Sequence, residues 1–125
     1  MMPGPKPKDY FPNDKATHEW LDAQEKPTRR VYQTAMKQFQ EFVRLTGDAI
    51  LRSREADKEN KTHDWEHKVL AYKNWLIETR GIAPYTATSR ANAIRGFFGF
   101  HYMKLEYRRG ERKRLSDKIR KTEDY

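Results

Sequence analysis

Between residues 28 and 46 apolar side chains recur every three or four positions. Val31, Tyr32, Ala35, Met36, Phe39, Phe42 and Val43 fall within one arc, and Arg30, Gln33, Lys37, Gln40, Glu41 and Arg44 lie largely opposite. The spacing predicts a core-facing helix from Pro27 or Thr28 to Thr46, capped by Thr28 and ended by Gly47 in the left-handed conformation. A second stripe, Trp65, Val69, Tyr72 and Leu76, is widened by Leu70, Trp75 and Ile77. It predicts a helix capped by Thr62 or Asp64, ending near Arg80 and Gly81, with more than one packing neighbour. After the tight connection Ile82-Ala83-Pro84, Thr86 is the natural cap of a third helix reaching about Tyr102. Ala87, Ala91, Ile94 and Phe98 share its apolar face with Phe97 at the edge, while Thr88, Ser89, Asn92, Arg95, Gly96 and Gly99 occupy the other side. Glycines inside a helix cost about 1 kcal/mol each relative to alanine, so close approach to the backbone is expected at Gly96 and Gly99.

The remaining segments are less periodic. His18 to Gln24 reads as one or two helical turns ended by Pro27, and Asp48 to Lys61 fits either a solvated short helix or a loop. No run alternates with period two, so the fold class is all-α. Pro3, Pro5, Pro7 and Pro12, with Lys6 and Lys8, mark an extended basic arm at the start of the chain. The division expected is an N-terminal arm over 1–24, a helical domain over 25–105 and a basic helix and linker over 106–125, sparsely anchored by Leu105, Leu115 and Ile119.

Composition sharpens this picture. The chain has 125 residues, 36% hydrophobic and 35% charged, which suits one domain with a modest core. Seven tyrosines, six phenylalanines and three tryptophans supply the bulk the aliphatics lack. A net charge of +8 favours polyanions, nucleic acid before membrane. No apolar run approaches the roughly 18 residues needed to span a bilayer, and the first residues lack the apolar segment of a signal peptide. With no cysteine there is no disulfide or thiol chemistry, as suits a cytoplasmic protein.

Candidate chemistry is thin. His63-Asp64-Trp65-Glu66-His67 matches H-x-x-E-H, which puts two histidines on one helical face as zinc ligation requires. A third ligand and a walled cleft are wanting, and the plainer reading is a first helical turn with solvated histidines and acids that suit the dipole. No phosphate-cradling glycine loop occurs, and no nucleophile or paired carboxylates stand out. Gly96 and Gly99 lie in a helix, not in the loop of a KH-type clamp. The remaining signal is basic helix surface. Tyr85, Thr86, Ser89 and Arg90 cluster at the start of the third predicted helix, where backbone donors favour phosphate. Thr88, Asn92 and Arg95 continue along it. Arg90 and Arg95 do not share one face, so one suits backbone and the other a base edge, or one packs over the core.

Two blocks of the chain resemble a known family. Thr28, Tyr32, Met36, Phe39 and Phe42 follow the T-x3-Y-x3-L-x2-F-x2-F spacing that opens the core-binding domain of tyrosine recombinases, the phage-type integrases. Gly81-Ile82-Ala83-Pro84-Tyr85-Thr86-Ala87, followed by Asn92, Ile94, Arg95, Phe97 and Phe98, resembles that domain's second signature, with Ala83 where a serine is usual. The resemblance covers residues 25–105, and Leu105, Arg108, Arg109 and Arg112 look most like archaeal members. It implies a SAM-like domain, a small orthogonal bundle of four to five helices, forming half of a clamp on double-stranded DNA at a recombination core site. Tyr85, Thr86, Thr88, Ser89, Arg90, Asn92 and Arg95 of the third predicted helix would face the duplex, with Lys73 and Arg80, beside Lys68, on the polar side of the second as another basic face. It further implies other recombinase protomers as partners in a synaptic complex, a monomer in isolation and a nucleoid-associated location. No cofactor, metal, membrane or small-molecule substrate is implied.

The family's catalytic half is not legible here. The residues three positions after His18, His63, His67 and His101 are Leu21, Glu66, Leu70 and Lys104, so no H-x-x-R occurs, and Tyr125 has no surrounding site. The expectation is a non-enzymatic, DNA-binding chain. The alternatives are a helical protein-interaction module that docks through exposed aromatics, or an integrase remnant that occupies DNA sites without cutting.

Overall fold

The computed structural model describes residues 11–108 and 110. Five helices follow one another with no strand among the described residues: α1 (Lys15–Asp22), α2 (Lys26–Val43), α3 (Gly47–Asn60), α4 (Asp64–Glu78) and α5 (Pro84–Phe100). The fold is an all-α helical bundle. Helix α5 packs most closely on α4 and α2, and α1 bridges α3 and α2.

The core is aromatic. Trp20 of α1 stacks on Tyr32 of α2 at 4.8 Å and meets Phe97 of α5 edge-on at 5.4 Å. Phe39 lies against Tyr72 at 5.0 Å and Trp65 at 6.1 Å, and Trp65 reaches Phe98 at 5.8 Å. The polar ends of these rings are satisfied, with Trp65 Nε1 donating to Ser53 Oγ at 2.9 Å and Tyr72 donating to the Ala35 carbonyl at 2.9 Å. Burial pushes the Tyr72 phenol well above its ordinary range, although the Arg90 charge pulls the other way.

The three periodic helices and the short piece before them are present, with different ends. Pro27 does not end α1 but sits in the first turn of α2, where its missing N–H is no loss. Thr28 does not cap α2; Glu25 holds that position without a side-chain bond. Helix α2 stops at Val43 because Arg44, at φ 59°, takes the left-handed position expected of Gly47. Gly47 instead opens α3, where a methyl group would collide with Thr17 Oγ1 and Asp14 Oδ1. The undecided stretch 48–61 is therefore helix. Neither Thr62 nor Asp64 caps α4: the N-cap is His63, and the Asp57 carboxylate of α3 accepts from the N–H groups of Asp64 (2.8 Å) and Trp65 (3.2 Å). Gly81, at φ 68°, does terminate its helix, with Ile82 N–H closing on the Leu76 carbonyl at 2.9 Å. Thr86 lies inside α5; its N-cap is Ala83, which has no hydroxyl.

The domain limits also move. Phe11, Ala16, Trp20 and Leu21 belong to the same buried cluster as α2, α4 and α5, so residues 11–24 are core and not arm. Asp14 fixes them there. Its buried carboxylate accepts from Thr17 Oγ1 (2.8 Å), Gln40 Nε2 (2.8 Å), Gly47 N (2.7 Å) and Asp48 N (3.1 Å), capping α1 and α3 at once. Asp48 returns the favour to Lys15 N and Ala16 N at 3.1 and 2.9 Å. At the other end Glu106 and Tyr107 are bound to α4, and residues 103–108 lack regular secondary structure. Of the basic helix and linker expected over 106–125, residues 106–108 are not helical and 109 and 111–125 lie outside the described residues, as does the proline-rich stretch over 1–10.

Candidate nucleic-acid interface

Helix α5 carries two surfaces. Ala87, Ala91, Ala93, Ile94, Phe97 and Phe98 are buried, which anchors it and dictates what the opposite side presents. That side is a row at three- and four-residue spacing: Tyr85, Thr88, Ser89, Asn92, Gly96 and Gly99, every one exposed. Between Tyr85 and Phe100 no side chain of this row is larger than asparagine. Among the described residues, no atom outside the neighbouring backbone of α5 lies within 4 Å of where a Cβ of Gly96 or Gly99 would stand. The close approach expected at the two glycines is not made by any described residue.

At the N-terminal end of the row α5 and α2 enclose a shallow groove of about 330 Å³. Arg30, Val31 and Thr34 form one wall and Tyr85, Thr86, Ser89 and Arg90 the other, with no carboxylate among them. Val31, expected in the core, is 49% exposed and Tyr85 is 88% exposed. Arg90 is half-buried and donates to Gln38 Oε1 at 2.8 Å. The uncapped start of α5 adds the positive end of its dipole. Two guanidiniums, four hydroxyls and a helix N-terminus form a donor-rich recess suited to phosphate oxygens.

Arg95 flanks the row on its other edge. Its Nη1 lies 3.5 Å from Asn92 Oδ1, and its guanidinium sits 5.3 Å from the centroid of the Tyr107 ring. Lys73 and Arg80, the second basic face, do not join the groove. Arg80 pairs with Glu41 of α2 at 3.1 Å and covers Trp75 at 5.4 Å, Lys73 is half-buried on α4, and Lys68 lies over Trp65 at 4.4 Å. The structure thus gathers Tyr85, Thr86, Ser89 and Arg90, keeps Thr88, Asn92 and Arg95 along the same helix, and leaves Lys73 and Arg80 apart. Arg30 and Thr34 were missed by sequence reasoning. Both lie on the polar side of their helix, and only the α2–α5 packing brings them to the groove.

The H-x-x-E-H motif has a structural use. Glu66 is fully buried, and its carboxylate takes both Nη groups of Arg54, at 2.7 and 3.0 Å. His63 and His67 are exposed. Among the described residues no group of three or more His, Cys, Asp or Glu is placed to hold a metal ion, and no helix is long and apolar enough to cross a membrane. Comparison with family models, with curated proteins and with solved structures finds no match.

Proposed function

We propose that this chain is a duplex-DNA-binding helical domain of the tyrosine-recombinase core-binding type, which clamps DNA at a recombination site and leaves strand cleavage to other parts of the recombinase. The observation that carries the reading is the outer row of α5. A run of Thr88, Ser89, Asn92, Gly96 and Gly99, flanked by Arg90 and Arg95, lets a rigid polyanion come close to the helix backbone. Two helical glycines that meet no described residue weaken the helix without any gain among the described residues. A partner pressed against the backbone gives them a use. Arg30 and Arg90 at the groove supply phosphate contacts, and Asn92 and Thr88 stand where base edges would be read. The net charge of +8 gives the long-range attraction.

The test is binding to a labelled mixed-sequence duplex of about 30 base pairs across a salt series. With about five phosphates neutralised, log K falls against log salt with a slope near −4.5. The Arg90→Ala/Arg95→Ala double variant loses affinity and part of that slope. Arg80→Ala, which removes a charge already paired with Glu41, loses little. A shallow slope, or a double variant that binds as wild type does, overturns the assigned surface. Absence of binding at low salt transfers the exposed aromatics Tyr85 and Tyr102 to a protein partner.

A further inference from the structure

Residues 103–107 leave the end of α5 and run back across the bundle, held at every step. Arg54 Nε and Nη2 donate to the carbonyls of Met103 (3.4 Å) and Lys104 (3.0 Å). Leu105 is buried in the core. Glu106 N–H donates to Glu66 Oε2 at 3.0 Å, and the Tyr107 hydroxyl donates to the Glu66 carbonyl at 2.9 Å. The Tyr107 ring is therefore pinned through its own hydroxyl and through the backbone before it. Arg95, at the edge of the α5 row, rests its guanidinium on that ring.

We infer that Tyr107 is a positioning residue for Arg95: the exit segment, clamped on the Arg54–Glu66 pair, provides a fixed aromatic platform that holds the guanidinium beside Asn92 at the edge of the DNA-facing row. The inference rests on the DNA-binding reading and adds a residue outside the α5 surface to it. A free arginine side chain must be ordered when it binds phosphate or a base edge, and a planar guanidinium on an aromatic face is ordered in advance. Tyr107 contributes no contact to the DNA; it acts through Arg95. The buried pair of Arg54 and Glu66 thereby links α3 and α4 to one edge of the binding surface.

The experiment uses the full 125-residue chain with Tyr107→Phe, Tyr107→Leu, Arg95→Ala and the Tyr107→Leu/Arg95→Ala double variant. Proton NMR of the Arg95 Nε–H reads the position of the guanidinium over the ring directly. The expected ring-current shift is present in wild type, smaller in Tyr107→Phe, which keeps the ring but loses its tether, and absent in Tyr107→Leu. Duplex binding reads the consequence. Tyr107→Leu and Arg95→Ala each weaken binding about three- to tenfold, and the double variant is no weaker than Arg95→Ala alone, because the two residues act as one unit. Additive losses, or Tyr107→Leu binding as wild type while Arg95→Ala is impaired, overturn the inference. So does a wild-type Arg95 resonance without ring-current shift. Failure of the wild-type chain to bind duplex overturns the DNA reading instead and is told apart by a ring-current shift that remains.

Discussion

Arg54 is 3% exposed, and each of its five N–H donors meets an acceptor: one carboxylate oxygen of Asp57, both of Glu66, and the carbonyls of Met103 and Lys104. One side chain therefore joins α3, α4 and the exit segment. Removing it strands two buried carboxylates, so Arg54→Met lowers the unfolding free energy by about 3–5 kcal/mol in urea titration, far beyond an exposed arginine such as Arg52. Asp57 carries a separate signature. Burial raises its carboxyl, but bonds from Thr62, the N–H groups of Asp64 and Trp65, and Arg54 outweigh that and hold it at about 2, below its ordinary 3.8. A pKa depressed by folding stabilises the native state above the unfolded pKa, and that contribution is lost as pH falls through the folded one. Stability measured between about pH 5 and pH 2 therefore drops by roughly 1–2 kcal/mol on account of this group, and Asp57→Asn flattens that limb of the profile.

Among the elements, α5 sets helix stability against surface access. Gly96 and Gly99 have helical backbone and no described residue over them, so Gly96→Ala and Gly99→Ala each stabilise the fold by about 0.5–1 kcal/mol, measured by thermal unfolding. A bulky Gly96→Leu leaves the fold intact yet weakens duplex binding at least tenfold if the backbone is approached there. Binding that is indifferent to Gly96→Leu removes the row from the interface. The stripes of α2, α4 and α5 were readable in the sequence because their inner faces are apolar at helical period. Helix α3 was not, because its buried positions are Gly47, Ile50, Arg54 and Asp57, two of them charges that periodicity assigns to solvent. Glu66, the partner of Arg54, drew notice only as part of a metal motif, since a buried ion pair between helices leaves no local pattern. The site was half legible for the same reason: Tyr85 to Arg95 lie on one helix and can be read together, whereas Arg30 and Thr34 join them only through packing of α2 on α5.

For the molecule as a whole, the decisive question is where the domain begins. Proline spacing and a short periodic piece suggested an arm up to residue 24, yet α1 inserts Trp20 and Leu21, 1% and 0% exposed, between α2 and α5. Eight residues are too few to show a stripe, so a helix that completes the core resembled an appendage. Asp14 and Asp48 exchange caps between α1 and α3, which couples the helices polar end to polar end as well as through the core. A chain beginning at residue 25 exposes the faces of Tyr32 and Phe97 that Trp20 covers and leaves the N-terminus of α3 uncapped by Asp14. It is expected to lose cooperative unfolding and bind a hydrophobic dye. In the full chain Trp20→Ala lowers stability by about 3–5 kcal/mol. Should the shortened chain unfold with the same midpoint and cooperativity as the full one, α1 would be an addition to a self-sufficient four-helix body. The proposed duplex-binding surface, which draws only on α2, α5 and the exit segment, would then be separable from α1. If instead both variants collapse, α1 is the element that holds α2 and α5 in register, and the groove between Arg30 and Arg90 exists only while Trp20 is in place.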